Sequence, residues 1–326
     1  MFIEYAMIKM NKRDMLFGTI ITIVLVYILL TQIDLGDIFN VLFSIHAHWI
    51  ILGFILYILG YFFRALRFQI LLNEKISIKD LFSIVCVHNM VNSIIPARMG
   101  ELSYIYLIKK REISTGEGIA TLMVARIFDF ITISVLFFVS ILCVRESPIS
   151  SALLIIAAFL ILIILFSLSL IYWREKFMGI IEGIILRLNL NRFHIVRLLL
   201  KKSRGITECF KAIKSERVIL YSSLFSILIW VSLYLVDYIL LRGMGLNLTI
   251  GAVILGSTLS IFTTILPVQG LMGFGTIEGG WAIGFMATGI SKEVAIVSGF
   301  GVHIILIIYV LILGGCGLQS IKFRRR

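Results

Sequence analysis

Proline is scarce in this chain, with three residues in 326, and no Pro/Gly/Ser-rich stretch separates one half from another. That excludes a string of modules joined by linkers. Charge is scarce as well. Charged residues make up 15% of the sequence, against roughly 25% in soluble domains. Cys86, Cys143, Cys209 and Cys316 lie far apart with no CxxC or metal spacing, which implies neither a disulfide framework nor a zinc site. There is no Ser/His/Asp or Cys/His arrangement, no pair of carboxylates suited to hydrolysis and no ATP-binding motif. A transport-type protein without a cofactor is expected ahead of an enzyme.

What is abundant is apolar sequence. Hydrophobic residues are 60% of the chain and the mean hydropathy is +1.06, which places it in the membrane class. The net charge of +12 falls between apolar runs, as the positive-inside rule describes. Anionic lipid headgroups are therefore the expected partner, and nucleic acid is not.

A bilayer core about 30 Å thick takes roughly 20 apolar helical residues to cross. Full spans are expected at 15–33, 49–72, 118–143, 149–172, 218–241 and 292–318. Two more stretches, 80–95 and 249–266, each end at a proline, Pro96 or Pro267. Each is followed by a shorter return run, at 102–108 and 276–290. Loop 173–217 carries eleven Lys/Arg against four Glu and is expected in the cytoplasm, with Lys75, Lys79, Lys109-Lys110-Arg111, the N-terminus and the basic tail. Loops 34–48 and 144–148 are expected outside. Lys9, Lys12 and Arg13 precede the first run, which reads as a retained anchor.

Those assignments hold together if the two proline-ended stretches are re-entrant hairpins. The expected fold is an all-α polytopic membrane protein with six full spans and two hairpins, about eight hydropathy spans in all. The hairpins enter from opposite sides, as in the inverted repeats of many transporters. Eight full crossings would also leave both termini inside, but 102–108 is too short to cross. The domain expectation is a cytoplasmic N-terminus at 1–14, one membrane domain at 15–318 and a basic tail at 319–326. Within 173–217, Ile184, Ile185 and Leu188 alternate with Arg187, Arg192 and Arg197. Both a surface amphipathic helix and a cytoplasmic helical hairpin fit that pattern.

Charges inside spans are costly and tend to be paired or to line a cavity. Arg126 and Asp129 stand at i, i+3 in VARIFDFITI, on one helix face. A self-neutralising ion pair and a polar face of a substrate cavity both fit. In the segment 89–101, Asn92, Arg98 and Glu101 surround the Pro96 break, where broken backbone needs protein or a watery cavity. In 266–280, Gly273 and Gly275 precede Glu278, the one acid between Gly251 and Ser291. No βαβ context supports a nucleotide loop there, so the glycines are read as turn and packing residues. Glu278 is read as an unpaired acid and a site candidate, or else as a buried Glu satisfied by a turn. Arg67 is expected to snorkel to headgroups, whereas Arg64, a turn deeper, is expected to face the cavity. The histidines are read as structural.

Taken in order, Arg64-xx-Arg67, NxxxPARxGE at 92–101, Arg126-xx-Asp129 and LPxxGxxGxGxxE at 266–278 resemble the lysylphosphatidylglycerol synthase transmembrane family. The resemblance covers about 14–318. It implies a flippase-like region in the cell membrane that moves a lipid between leaflets. The aminoacyltransferase half that makes the lipid in that family is not expected in this sequence, nor is the glycosyltransferase domain of some relatives. The resulting expectation is a translocase for a phospholipid or polyprenyl-phosphate headgroup. Its site would use Arg64, Asn92, Arg98, Glu101, Arg126, Asp129, Gly273, Gly275 and Glu278. The alternatives are a membrane enzyme or enzyme subunit acting on a lipid-linked substrate, and a non-catalytic partner of a separate lipid-modifying enzyme.

Overall fold

The computed structural model describes residues 12–95, 100–143, 215–263 and 271–323, with a few positions between 157 and 165. Among these the chain is helical without strands. In order the helices are α1 (Lys12–Leu30), α2 (Leu35–Ser44), α3 (Ala47–Leu71), α4 (Ile78–Ile94), α5 (Glu101–Lys109), α6 (Thr115–Cys143), α7 (Glu216–Gly243) and α8 (Ile250–Thr263). A 3₁₀ turn (Leu271–Gly273), α9 (Thr276–Ala287) and α10 (Lys292–Phe323) follow. The expected span at 149–172, apart from those few positions, and nearly all of the basic loop lie outside the described residues.

Four of the described helices, α3, α6, α7 and α10, are long and apolar enough to cross a membrane. The segment Thr22–Leu30 passes the same test only together with α2, from which it is bent by 86°. The stretch 34–48, expected as an outward loop, is thus mostly helix. Asp34 caps α2 by accepting from the Gly36 N–H at 2.8 Å, and satisfying such an orphan donor stabilises a helix start by ~1 kcal/mol. The apolar content of the long helices shows on the outside. Ile51, Ile55 and Leu59 recur every four residues on α3 and are 40–59% exposed, a stripe suited to lipid tails.

Packing is antiparallel. α3 lies along α7, with Gly53 against Leu240 and Gly60 against Ser232. α10 lies along α4, with Gly314 against Met90 and Gly317 against the Ser83 carbonyl. Ion pairs gather one set of helix ends into a common basic end: Lys75 with Glu117 at 2.7 Å, Arg111 with Asp80 at 2.9 Å and Arg217 with Glu74 at 3.4 Å.

The two proline-ended stretches are both helical hairpins. α4 and α5 open toward the basic end, where Arg111 meets Asp80. α8 and α9 open toward the opposite end, where α7 finishes and α10 begins. At 1.5 Å per residue, α5, α8 and α9 span about 13, 21 and 18 Å, well short of a 30 Å hydrocarbon core. α10 packs against both hairpins, and the 3₁₀ turn at the tip of the second reaches α4 of the first. α1 covers that tip, with Leu25 beside Gly275 and Thr22 Oγ1 accepting from the Leu271 N–H.

The second hairpin closes through backbone contact. A Cβ at Gly284 would sit 2.0 Å from the Gly256 carbonyl oxygen. No side chain fits there, so Gly284→Ala must push α8 and α9 apart. The expected loss is about 1–3 kcal/mol, typical of overpacking. Among the described residues, no atom beyond its chain neighbours and its own helix lies within 4 Å of a Cβ at Gly279. Thermal melting of the purified protein should therefore show a clear drop for Gly284→Ala and none for Gly279→Ala.

Candidate functional site

A buried arginine–carboxylate network lies where α3, α6 and α7 meet. Arg67 of α3 grips Asp129 of α6 with both ends of its guanidinium, Nη1 to Oδ1 at 2.6 Å and Nη2 to Oδ2 at 3.2 Å. Their side chains are 3% and 9% exposed. Asp129 Oδ1 also accepts from the Trp230 indole at 2.9 Å. Arg67 Nη1 donates to Ser226 Oγ at 2.7 Å, and that hydroxyl in turn donates a hydrogen bond to the Ser222 carbonyl. A carboxylate in an apolar helix is tolerable when its lone pairs are filled this way. Arg67 does not snorkel to headgroups as expected. The hydrogen-bonding demand of Asp129 holds it in the bundle.

One turn before Asp129, Arg126 faces another direction. Its Nη2 donates to Glu101 Oε1 of α5 at 3.0 Å, while its Nη1 stands 3.9 Å from Asp129. The expected Arg126–Asp129 pair is thus the long contact of a larger cluster. Arg126 and Glu101 are 32% and 30% exposed, so this pair opens to its surroundings where Arg67 and Asp129 do not. Arg64 donates to Asn89 Oδ1 of α4 at 2.8 Å and lies over the Tyr61 ring. Asn92, one turn beyond Asn89, has a buried Oδ1 with no hydrogen-bond partner among the described residues. Gly100 closes the first hairpin beside it, since a Cβ there would be 2.2 Å from the Asn92 Cα. Arg98 and Pro96 lie outside the described residues.

Arg64, Glu101, Arg126 and Asp129 are therefore brought together with Arg67. Among the described residues this cluster holds three guanidiniums and two carboxylates, one positive charge in excess.

Glu278, Gly273 and Gly275 form a second cluster. Glu278 is fully buried and far from unpaired. Its Oε2 accepts from the Gly275 N–H at 2.7 Å, capping α9, and its Oε1 meets His303 Nδ1 of α10 at 2.5 Å. Gly273 and Gly275 have φ of 80° and 82°, values that favour glycine, so they shape the tip. Sequence reasoning placed His303 among the structural histidines, and nothing in its spacing marked it as the partner of Glu278. Trp230 and Ser226 were likewise unmarked. Arg67 had a signal: two arginines in one apolar run ask for an acid, and Asp129 was the acid at hand. No group of three or more His, Cys, Asp or Glu among the described residues could hold a metal ion.

A helical bundle with two opposed broken hairpins and buried charges defines a multi-pass membrane protein. The family described as lysylphosphatidylglycerol synthase TM region matches residues 15–314, and the chain belongs to that family. Neither the curated proteins nor the solved structures yield a significant match.

The network makes a stability prediction. Asp129→Ala leaves Arg67 charged and buried without its partner, a loss of about 3–5 kcal/mol. Arg67→Ala should be similarly damaging, whereas Arg126→Ala, at a third-exposed position, should be mild. Combining Arg67→Met with Asp129→Leu should recover most of the melting temperature lost in either single variant.

Proposed function

We propose that this protein is a lipid translocase that carries a phosphate-bearing headgroup past Arg64, Arg126 and Glu101 while the acyl tails stay in the bilayer. The observation that carries this reading is the half-open Arg126–Glu101 pair within a cluster of net positive charge. Arg67 and Asp129, the latter one turn along α6 from Arg126, are sealed by comparison. A guanidinium stays charged and matches a phosphodiester bidentately. Glu101 neutralises Arg126 while no lipid is present, and yields it when a phosphate arrives. Asn92, whose side-chain oxygen has no partner among the described residues, adds an acceptor for headgroup hydroxyls or an ammonium.

The two hairpins supply the moving parts in this reading. They open at opposite ends and meet near the tip that Glu278 and His303 hold. Alternate opening of one hairpin and then the other would expose the cluster to each leaflet in turn. Membership of a family named for lipid synthesis supports a lipid as the cargo. The basic end faces the cytoplasm under the positive-inside rule.

Reconstitution in liposomes with a leaflet-reporting fluorescent phospholipid tests this. The wild-type protein should speed lipid flip. Arg126→Ala should slow it by about ten- to a hundredfold, the worth of a charge-assisted hydrogen bond. Glu278→Ala should slow it too by loosening the second tip. If no anionic, zwitterionic or polyprenyl lipid is moved, the translocase reading fails. If lipid moves and both variants match wild type, the site is elsewhere.

A further inference from the structure

A second feature lies at the basic end, at the far end of α5 from Glu101. Between α4, α5 and α10 is a cavity of about 230 Å³ lined by Ile84, Leu107, Lys110, Arg111 and Ile321. Its chemistry is divided. Three aliphatic side chains, one from each helix, make the inner wall, and two cations stand at the helix ends. Arg111 is fixed there by Asp80, which accepts from its Nη2 at 2.9 Å. Asp80 is itself set in the first turn of α4 by the Ser77 cap. Lys110 Nζ rests 4.0 Å from the centroid of the Tyr106 ring. Both cations are thus positioned before any ligand arrives. Lys109 and Lys322 adjoin lining residues in sequence, so among the described residues the local balance is four cations to Asp80 and Glu112.

We propose that this cavity binds an anionic phospholipid of the adjoining leaflet, its phosphate on Lys110 and Arg111 and the start of its acyl chains on Ile84, Leu107 and Ile321. The occupant follows from the division of the wall. A free phosphate would satisfy the cations but leave the aliphatic wall bare, and a neutral lipid would leave the cations unused. The cavity is too small for a whole lipid, which suits a ligand whose remaining length lies in the bilayer. The helix ends put it at headgroup height, where anionic lipids and basic juxtamembrane residues attract. The site is separate from the Arg126–Glu101 cluster and stands on the membrane placement of the chain, whether or not it moves lipid.

The test uses the full chain purified in neutral detergent and titrated with phosphatidylglycerol or phosphatidylcholine, with bound lipid counted by native mass spectrometry. Wild-type protein should prefer phosphatidylglycerol. The double variant Lys110→Gln/Arg111→Gln should lose that preference by about tenfold. Ile321→Trp, which fills the apolar side and leaves every charge in place, should weaken phosphatidylglycerol binding to a similar degree. Lys75→Gln, at the same basic end but paired with Glu117 and outside the cavity wall, should keep the preference. Equal binding of the two lipids by wild-type protein would overturn the proposal, as would an unchanged preference in both cavity variants. So would loss of the preference in Lys75→Gln alone. If millimolar inorganic phosphate displaces the lipid fully and Ile321→Trp has no effect, the site is one for a soluble anion and the lipid assignment is wrong.

Discussion

Three helices of this bundle are joined through one carboxylate. Asp129 sits deep in α6, where an unpaired charge would cost about 2.5–3.5 kcal/mol on insertion scales. Arg67 from α3 and Trp230 from α7 answer it, and Ser226 accepts a hydrogen bond from a further N–H of the arginine. This arrangement fixes the rotation of all three helices about their own axes, because a small turn of any one would leave a buried polar atom bare. Apolar packing alone does not impose that, since lipid-facing and helix-facing side chains are equally apolar. With α3 and α6 set, Arg64 and Arg126 point where they do, toward α4 and α5 of the first hairpin.

α10 plays the corresponding part for the hairpins. Its glycines let α4 approach at one level, Gly299 takes the Trp281 ring of α9 at another, and His303 meets Glu278 between those levels. One long helix therefore touches both hairpins, and movement of either is felt along the same rail. The two tips differ in how they are held. The second is capped by its own glutamate and covered by α1. The first is closed by a tight approach of Gly100 to Asn92, beside an ion pair that is one-third exposed. The more open polar contact thus belongs to the first hairpin.

Much of the architecture was legible in the sequence because lipid imposes simple rules. Run length marked four of the long helices, and the two prolines with short return runs marked the hairpins. The 102–108 run was too short to cross, and α5 is indeed a nine-residue helix. Partners were harder to read. The i, i+3 spacing of Arg126 and Asp129 is a local signal, and a local signal suggested that they pair. The structure gives Asp129 to Arg67, sixty-two residues away, because a buried carboxylate takes the partner with the best fork geometry rather than the nearest in sequence. The turn that satisfies Glu278 was among the readings of the sequence, but its His303 partner was missed for the same reason. His303 is twenty-five residues on, in a helix with no other polar mark at that level. The helix α2 escaped notice since ten residues of mixed polarity between two spans look like a loop until Asp34 is seen to cap them.

The central claim is that the apolar interior holds charges of two kinds, one sealed for structure and one open to a polar path. Cysteine accessibility tests it most directly. In a background without native cysteines, Arg126→Cys and Ala125→Cys place thiols on adjacent residues of α6, of which Ala125 is 3% exposed. A membrane-impermeant, water-soluble thiol reagent should modify the first in intact vesicles and leave the second unmodified. If Arg126→Cys is as unreactive as its neighbour, the Arg126–Glu101 pair is sealed like Arg67 and Asp129, and the account of an open headgroup path is contradicted.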